Sequence, residues 1–356
     1  MRDSIRSIQF LRFVAASLVV FSHSMLAIDV YFKGSASRGM LYFANFGGVG
    51  VHLFFVISGF IMVYASFGGQ LTLFQPSMFL FRRFCRIYPI YWIYAAAYLL
   101  LHQSILQSYS LSSGDVLGSL LLLPGYSHLI IGPGWTLSFE VYFYICFGLF
   151  MSLGLVRGLS AMTLFFLGSI VIGSIFYFNN AAFHVATDTL LVEFLAGAWI
   201  ANLFLARIHV SAKMSNLLIA LACAGFAGGF AYGYHRLPSL LMWGLPSALL
   251  ITGLVFKERI GQFAGFFQRL SFLGDSSYSL YLLHILLIDL FFKAYLTMFS
   301  DPGFGYVAMC LVFTVLCIII AFVLYELIER RIVRTLQGIT KNLLGPKLVK
   351  RATQAE

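Results

Sequence analysis

Arg12 and His23 stand eleven residues apart in the first apolar stretch of the chain. At 100° per residue, eleven residues make almost three helical turns, so both side chains share one helix face. The rise between them is roughly 16 Å, about half the hydrocarbon core of a bilayer. A fixed cation near one surface and a titratable ring deep inside are costly in lipid, and ionisable groups kept there usually serve function. Desolvation favours the neutral imidazole, which suits His23 to accept a proton from a reacting group. A histidine merely hydrogen-bonded in a bundle interior is the plain alternative, and its alignment with Arg12 weighs against it.

Five further clusters carry chemistry. Arg82, Arg83 and Arg86 precede Pro89, which suits the first turn of a helix; three guanidinia so close can grip phosphates, or simply anchor a span. The run Gly47 to Phe60 holds His52 and the pair Ser58-Gly59, where small residues admit a ligand or a neighbouring helix. Gly132-Pro133-Gly134 opens a span that carries Trp135 and Glu140. Counted from the span edges, Glu140 and His23 lie at matching depths, roughly 9 and 7.5 Å below the outer surface. Glu140 is therefore expected to orient His23 or offset its charge, while Trp135 suits an interfacial belt or a substrate contact equally. Finally, Tyr281 and His284 share a helix face, and Tyr325 to Arg331 close the last span with charges that can balance the interface or hold a headgroup.

These residues need membrane helices to position them. The 356-residue chain is 60% hydrophobic and 10% charged, a composition that places it among polytopic membrane proteins. Ten spans are expected, near 8–28, 46–67, 85–103, 134–155, 159–178, 189–207, 214–233, 238–256, 276–298 and 304–327, with a short re-entrant or interfacial segment at 116–131. With both termini in the cytoplasm, all but four of the 23 Lys and Arg fall on the inner side, a strong positive-inside bias. The net charge of +10 is thus spent on topology and not on nucleic acid. Five cysteines without metal spacing read as packing residues, and no metal is expected. The first apolar run is too long for a cleaved signal and is expected to stay as a helix. Residues 1–329 read as one membrane domain and 330–356 as a basic cytoplasmic tail lying on anionic lipid.

Taken together, the spaced Arg12–His23 pair, the Gly-Val-x-Leu-Phe-Phe-x-x-Ser-Gly run at 50–59, Arg-x-x-Arg-Ile-x-Pro at 83–89, Trp-x-Leu-Ser-x-Glu at 135–140, Ser-Tyr-Ser-x-Tyr-Leu-x-His at 277–284 and Glu329 resemble the membrane acyltransferase 3 family. The resemblance implies a bacterial inner-membrane enzyme that moves an acyl group, by default acetyl, from cytoplasmic acyl-coenzyme A to a hydroxyl of a surface polysaccharide, lipopolysaccharide or lipid-linked glycan. It carries the family's catalytic histidine to His23 and the paired arginine to Arg12. On that reading Arg12, Arg82, Arg83 and Arg86 hold the donor phosphates, and the pantetheine arm follows the face joining Arg12 to His23. His52, Trp135 and Glu140 line the acceptor pocket, with Tyr281 and His284 as further substrate contacts. His23 is general base or acyl relay. Some members carry an additional periplasmic domain; none is expected here, so a second transfer step would call on another glycan-biosynthesis protein. The competing expectation is a transporter or flippase for a lipid-linked or anionic solute, which intramembrane His and Glu also suit.

Overall fold

Apolar stretches of about 20 residues must satisfy every backbone group internally once in lipid, and helices do this span by span. The computed structural model describes residues 5–32, 36–68, 74–101, 111–124, 129–176, 178–233, 237–299, 305–336 and 338. Among them ten helical stretches are long and apolar enough to cross a membrane: Arg6–Tyr31, Arg38–Phe67, Pro76–Leu101, Gly132–Leu153, Leu155–Ile175, Ala181–Leu205, Ala212–Tyr232, Leu240–Arg259, Gly265–Met298 and Tyr306–Leu336. They match the ten expected spans, and no strand occurs among the described residues. The last span runs seven residues into the expected tail; residue 337 and residues 339–356 lie outside the described part.

Helix α1 (Arg6–Tyr31) is central. It packs against α3 (Val49–Phe67), α13 (Ser277–Met298) and α14 (Tyr306–Leu324). Its open N-terminal amides are satisfied from another helix: the Glu258 carboxylate accepts from the main-chain N–H of Arg6 and Ser7 at 2.8 and 2.7 Å, as a capping carboxylate should. Helix α3 lies almost on the α1 backbone, because a Cβ on Gly50 would fall 2.4 Å from the Ala15 carbonyl oxygen. On its other side α3 meets α9 (Leu191–Leu205) through reciprocal glycines. A Cβ on Gly59 would stand 1.9 Å from the Phe194 oxygen, and one on Gly197 1.9 Å from the Val56 oxygen. Small residues at crossing points are how helices associate where water cannot drive them together. Peripheral helices keep apolar side chains on the outside, among them Leu164, Val171 and Ile175, and Leu217 and Leu221.

One local expectation is corrected. Helix α4 starts at Pro76, and Pro89 sits in its interior. A proline does open this helix, but it is Pro76; the residues from Pro76 to Phe81 extend the helix ahead of the arginines. The Gly132-Pro133-Gly134 turn opens the fourth span as expected, with Gly132 exposed and Pro133 and Gly134 buried. The segment before it fills the place of a surface loop. Helix α5 (Ser113–Leu120) and the residues after it lie along α4: Trp92 and Tyr88 donate to the Leu120 and Leu121 carbonyls (2.9 and 3.1 Å), and Ser119 Oγ accepts the Ile130 N–H (2.9 Å). Ile130 and Ile131 are buried, and α6 (Trp135–Phe150) follows with its first residue, Trp135, exposed.

Candidate active site

A cavity of about 430 Å³ opens between α1, α3, α4, α6 and α13, within the roughly 300–1,000 Å³ of small-molecule sites. Arg12, Arg83 and Arg86 line one end, with Glu140, Tyr144 and Asp275; Phe54, Thr136 and Tyr281 line the other. On α4 residue 86 lies between the other two, about 40° from residue 82 and 60° from residue 83, which leaves 82 and 83 about 100° apart. Arg83 and Arg86 line the cavity, whereas Arg82 is exposed and does not, which corrects its expected place beside the other two.

Each cavity arginine is held differently. Arg12 donates to Gln9 Oε1 at 3.0 Å, and Gln9 Nε2 donates to Asp275 Oδ1 at 2.7 Å. Arg83 lies over the rings of Phe79 and Tyr144, 5.5 and 5.9 Å from their centroids, a cation–π setting. Arg86 is 3.8 Å from Glu329. A π-turn at Tyr325–Glu329 drives that carboxylate into the bundle at 0% exposure, where it accepts from Ser279 Oγ at 2.7 Å. Tyr94 extends the chain by donating to Ser279 at 2.9 Å. The cluster sets three guanidinia against the carboxylates of Glu140, Asp275 and Glu329; the guanidinia are restrained and open to a cavity, where their forked N–H groups can meet a phosphate-bearing ligand.

At the far end of the cavity Tyr281 Oη is 2.8 Å from Thr136 Oγ1, and both hydroxyls reach the Pro133 carbonyl. The ring of Phe54 meets that of Tyr281 edge-on at 5.7 Å. Just behind this wall stand the two histidines. His23 Nδ1 is 3.1 Å from His284 Nε2, and His284 Nδ1 is 2.7 Å from the Tyr281 carbonyl oxygen. His284 is fully buried; His23 is half-buried. The cavity thus joins the arginines to the layer that touches the imidazoles.

The remaining expected residues are distributed otherwise. Glu140 is not against His23: it accepts from Ser58 Oγ at 2.9 Å and from the Tyr144 hydroxyl, at the arginine end. Equal depth counted from span edges does not set which neighbour a side chain meets, and Glu140 faces Ser58 and Tyr144. The face of α1 between Arg12 and His23 is no channel, because α3 lies on it at Gly50 and the exposed share of Ala15 and Val19 is 0 and 2%. The cavity passes instead between α3, α6 and α13. Trp135 is 41% exposed and packs on Phe55 and Phe139 outside the cavity. His52 lies away from it too, bonded at 2.6 Å to Glu193 of α9.

Glu193 was missed because its span looked bland, although a lone acid in an apolar run was a legible signal. Its second oxygen has no partner among the described residues, and Gly244 leaves room for the carboxylate. His52→Leu should therefore strand a buried carboxyl and cost about 2 kcal/mol of stability, read as a lower thermal midpoint in detergent. The His52→Leu/Glu193→Leu double variant should regain most of it; an unchanged midpoint in the single variant would contradict the pairing. Tyr144, Gln9 and Asp275 were missed as well, and only the i,i+4 spacing of Glu140 and Tyr144 could have pointed to one of them; Ser58, singled out as a place of close approach, does line the cavity.

Residues 5–326 match the family model described as an acyltransferase domain, the acyltransferase 3 family. The chain is also similar to the exopolysaccharide production protein ExoZ of Rhizobium meliloti: 31% identity over 315 residues, covering 84% of this chain and 94% of the relative. No solved structure matches it significantly.

Proposed function

The chain belongs to the acyltransferase 3 family, and from that membership we propose that it O-acylates an exopolysaccharide or its lipid-linked precursor at the expense of cytoplasmic acyl-coenzyme A. The observation that carries the reading is the cavity, with three arginines at one end and, at the other, Tyr281 against His284, the partner of His23. Arg12, Arg83 and Arg86 bind the donor phosphates from the cytoplasmic side. The pantetheine arm extends between α3, α6 and α13, and its thioester reaches the histidines when Phe54 and Tyr281 shift. A glycan hydroxyl arrives from the opposite face. His23 takes its proton as the oxygen attacks the thioester carbon; the carbon–sulfur bond breaks, and the thiolate leaves with that proton. The products are the glycan ester and free coenzyme A. Family membership favours this reading over transport, which needs no covalent product.

The test uses the full chain in proteoliposomes with acyl-labelled acetyl-coenzyme A and exopolysaccharide repeat units. Label should appear on the glycan in an alkali-labile ester. Glycan translocation without label incorporation would overturn the proposal.

The wall also sets acyl size. Phe54→Ala should raise the ratio of propionyl to acetyl transfer about tenfold, the order of discrimination one methylene gives in a tight pocket. Competition between the two thioesters, resolved by mass spectrometry, reads it; an unaltered ratio would mean that Phe54 does not bound the acyl group.

A further inference from the structure

We propose that His284 is a positioning residue: it fixes the tautomer of His23 so that Nε2 is the nitrogen free to take the acceptor proton. This rests on the base role given to His23 above. The argument starts from the Tyr281 carbonyl. A carbonyl oxygen only accepts, and it has two lone pairs, so it can serve a helix N–H and a side chain together. The nitrogen 2.7 Å from it, His284 Nδ1, must carry a hydrogen. His284 is at 0% exposure, where a second charge on the ring would go unsolvated. In the neutral ring the other nitrogen, Nε2, is then an acceptor.

That acceptor is 3.1 Å from His23 Nδ1. Two bare nitrogens would repel, so His23 must place its hydrogen on Nδ1. Its Nε2 is left with the lone pair. Free imidazole side chains favour the opposite tautomer, with hydrogen on Nε2, which could not accept a proton there. The relay from the Tyr281 carbonyl through His284 therefore selects the reactive form. The Val19 carbonyl one turn earlier also interacts with the His23 ring. Once His23 is protonated, Nδ1–H stays directed at a lone pair and the imidazolium is stabilised in place. His284 itself is poorly suited to the chemistry, since both its nitrogens are engaged and it is sealed, whereas His23 is half-buried.

Two measurements test this on the full chain in nanodiscs. The first is a long-range proton–nitrogen correlation spectrum of protein labelled at its eight histidines, with His23 assigned by its loss in His23→Ala. Wild-type His23 should show a protonated Nδ1 and a bare Nε2; hydrogen on Nε2 would overturn the proposal. The second is kinetic. His284→Leu should lower kcat about tenfold, the worth of one such hydrogen bond, with the donor KM within about twofold. His284→Gln, whose amide oxygen can accept in the place of Nε2, should restore most of the rate. A glutamine variant as slow as the leucine one, both with wild-type thermal midpoints, would overturn it as well. If leucine prevents folding, the wild-type spectrum still decides. Should His23→Ala keep full activity, the base role fails, and the spectrum reports the tautomer regardless.

Discussion

His23→Ala is expected to lower the rate of acyl transfer by about three orders of magnitude, the middle of the range for loss of a general base. The donor KM should stay within a few-fold of wild type, because the arginines that meet the donor lie at the other end of the cavity. Folding should survive: His23 is half-buried and its partner His284 keeps its bond to the Tyr281 carbonyl. The variant therefore separates chemistry from binding in a way that few substitutions in a bundle can. It also separates two routes. If His23 carries the acyl group covalently, wild-type protein given labelled donor without acceptor should retain label after denaturation, and His23→Ala should not. If His23 only moves a proton, neither protein retains label. Wild-type transfer by His23→Ala would remove this residue from the chemistry altogether.

The ten spans were legible in the sequence because a bilayer leaves the backbone few choices. The site was legible one helix at a time. Arg12, Arg83, Arg86 and Tyr281 could be picked out as polar groups in apolar runs, and all four line the cavity. What one-dimensional spacing could not supply was the relation between helices. Depth counted along single helices does not fix which side chains face one another: Glu140 meets Ser58 and Tyr144, while His284 meets His23. Gly50 offered room for a ligand or a neighbouring helix, and it is the α1 backbone that takes it. The Pro89 rule was sound but applied to the wrong proline, so the arginines were placed ahead of a helix instead of on one of its faces. That face is what distinguishes Arg82 from Arg83.

The same face yields the second large effect. Arg12→Ala should raise the KM for acyl-coenzyme A about a hundredfold, since a charge-assisted bond to phosphate in a partly enclosed site is worth about 1.5–3 kcal/mol. Arg82→Ala should leave it within about twofold, for Arg82 is exposed and outside the cavity. The contrast matters because both residues would serve equally well as topological anchors. A donor reduced to acyl-pantetheine, which lacks the nucleotide phosphates, sharpens it: its KM should be insensitive to Arg12→Ala. Added salt should weaken the full donor more than the truncated one. Arg12 is braced by Gln9 and through it by Asp275, so Gln9→Leu should reproduce part of the loss without removing a charge. A donor KM that ignores Arg12, or a truncated donor that suffers equally, would mean that the guanidinium supports the fold at this end of the cavity and that the phosphates lie elsewhere.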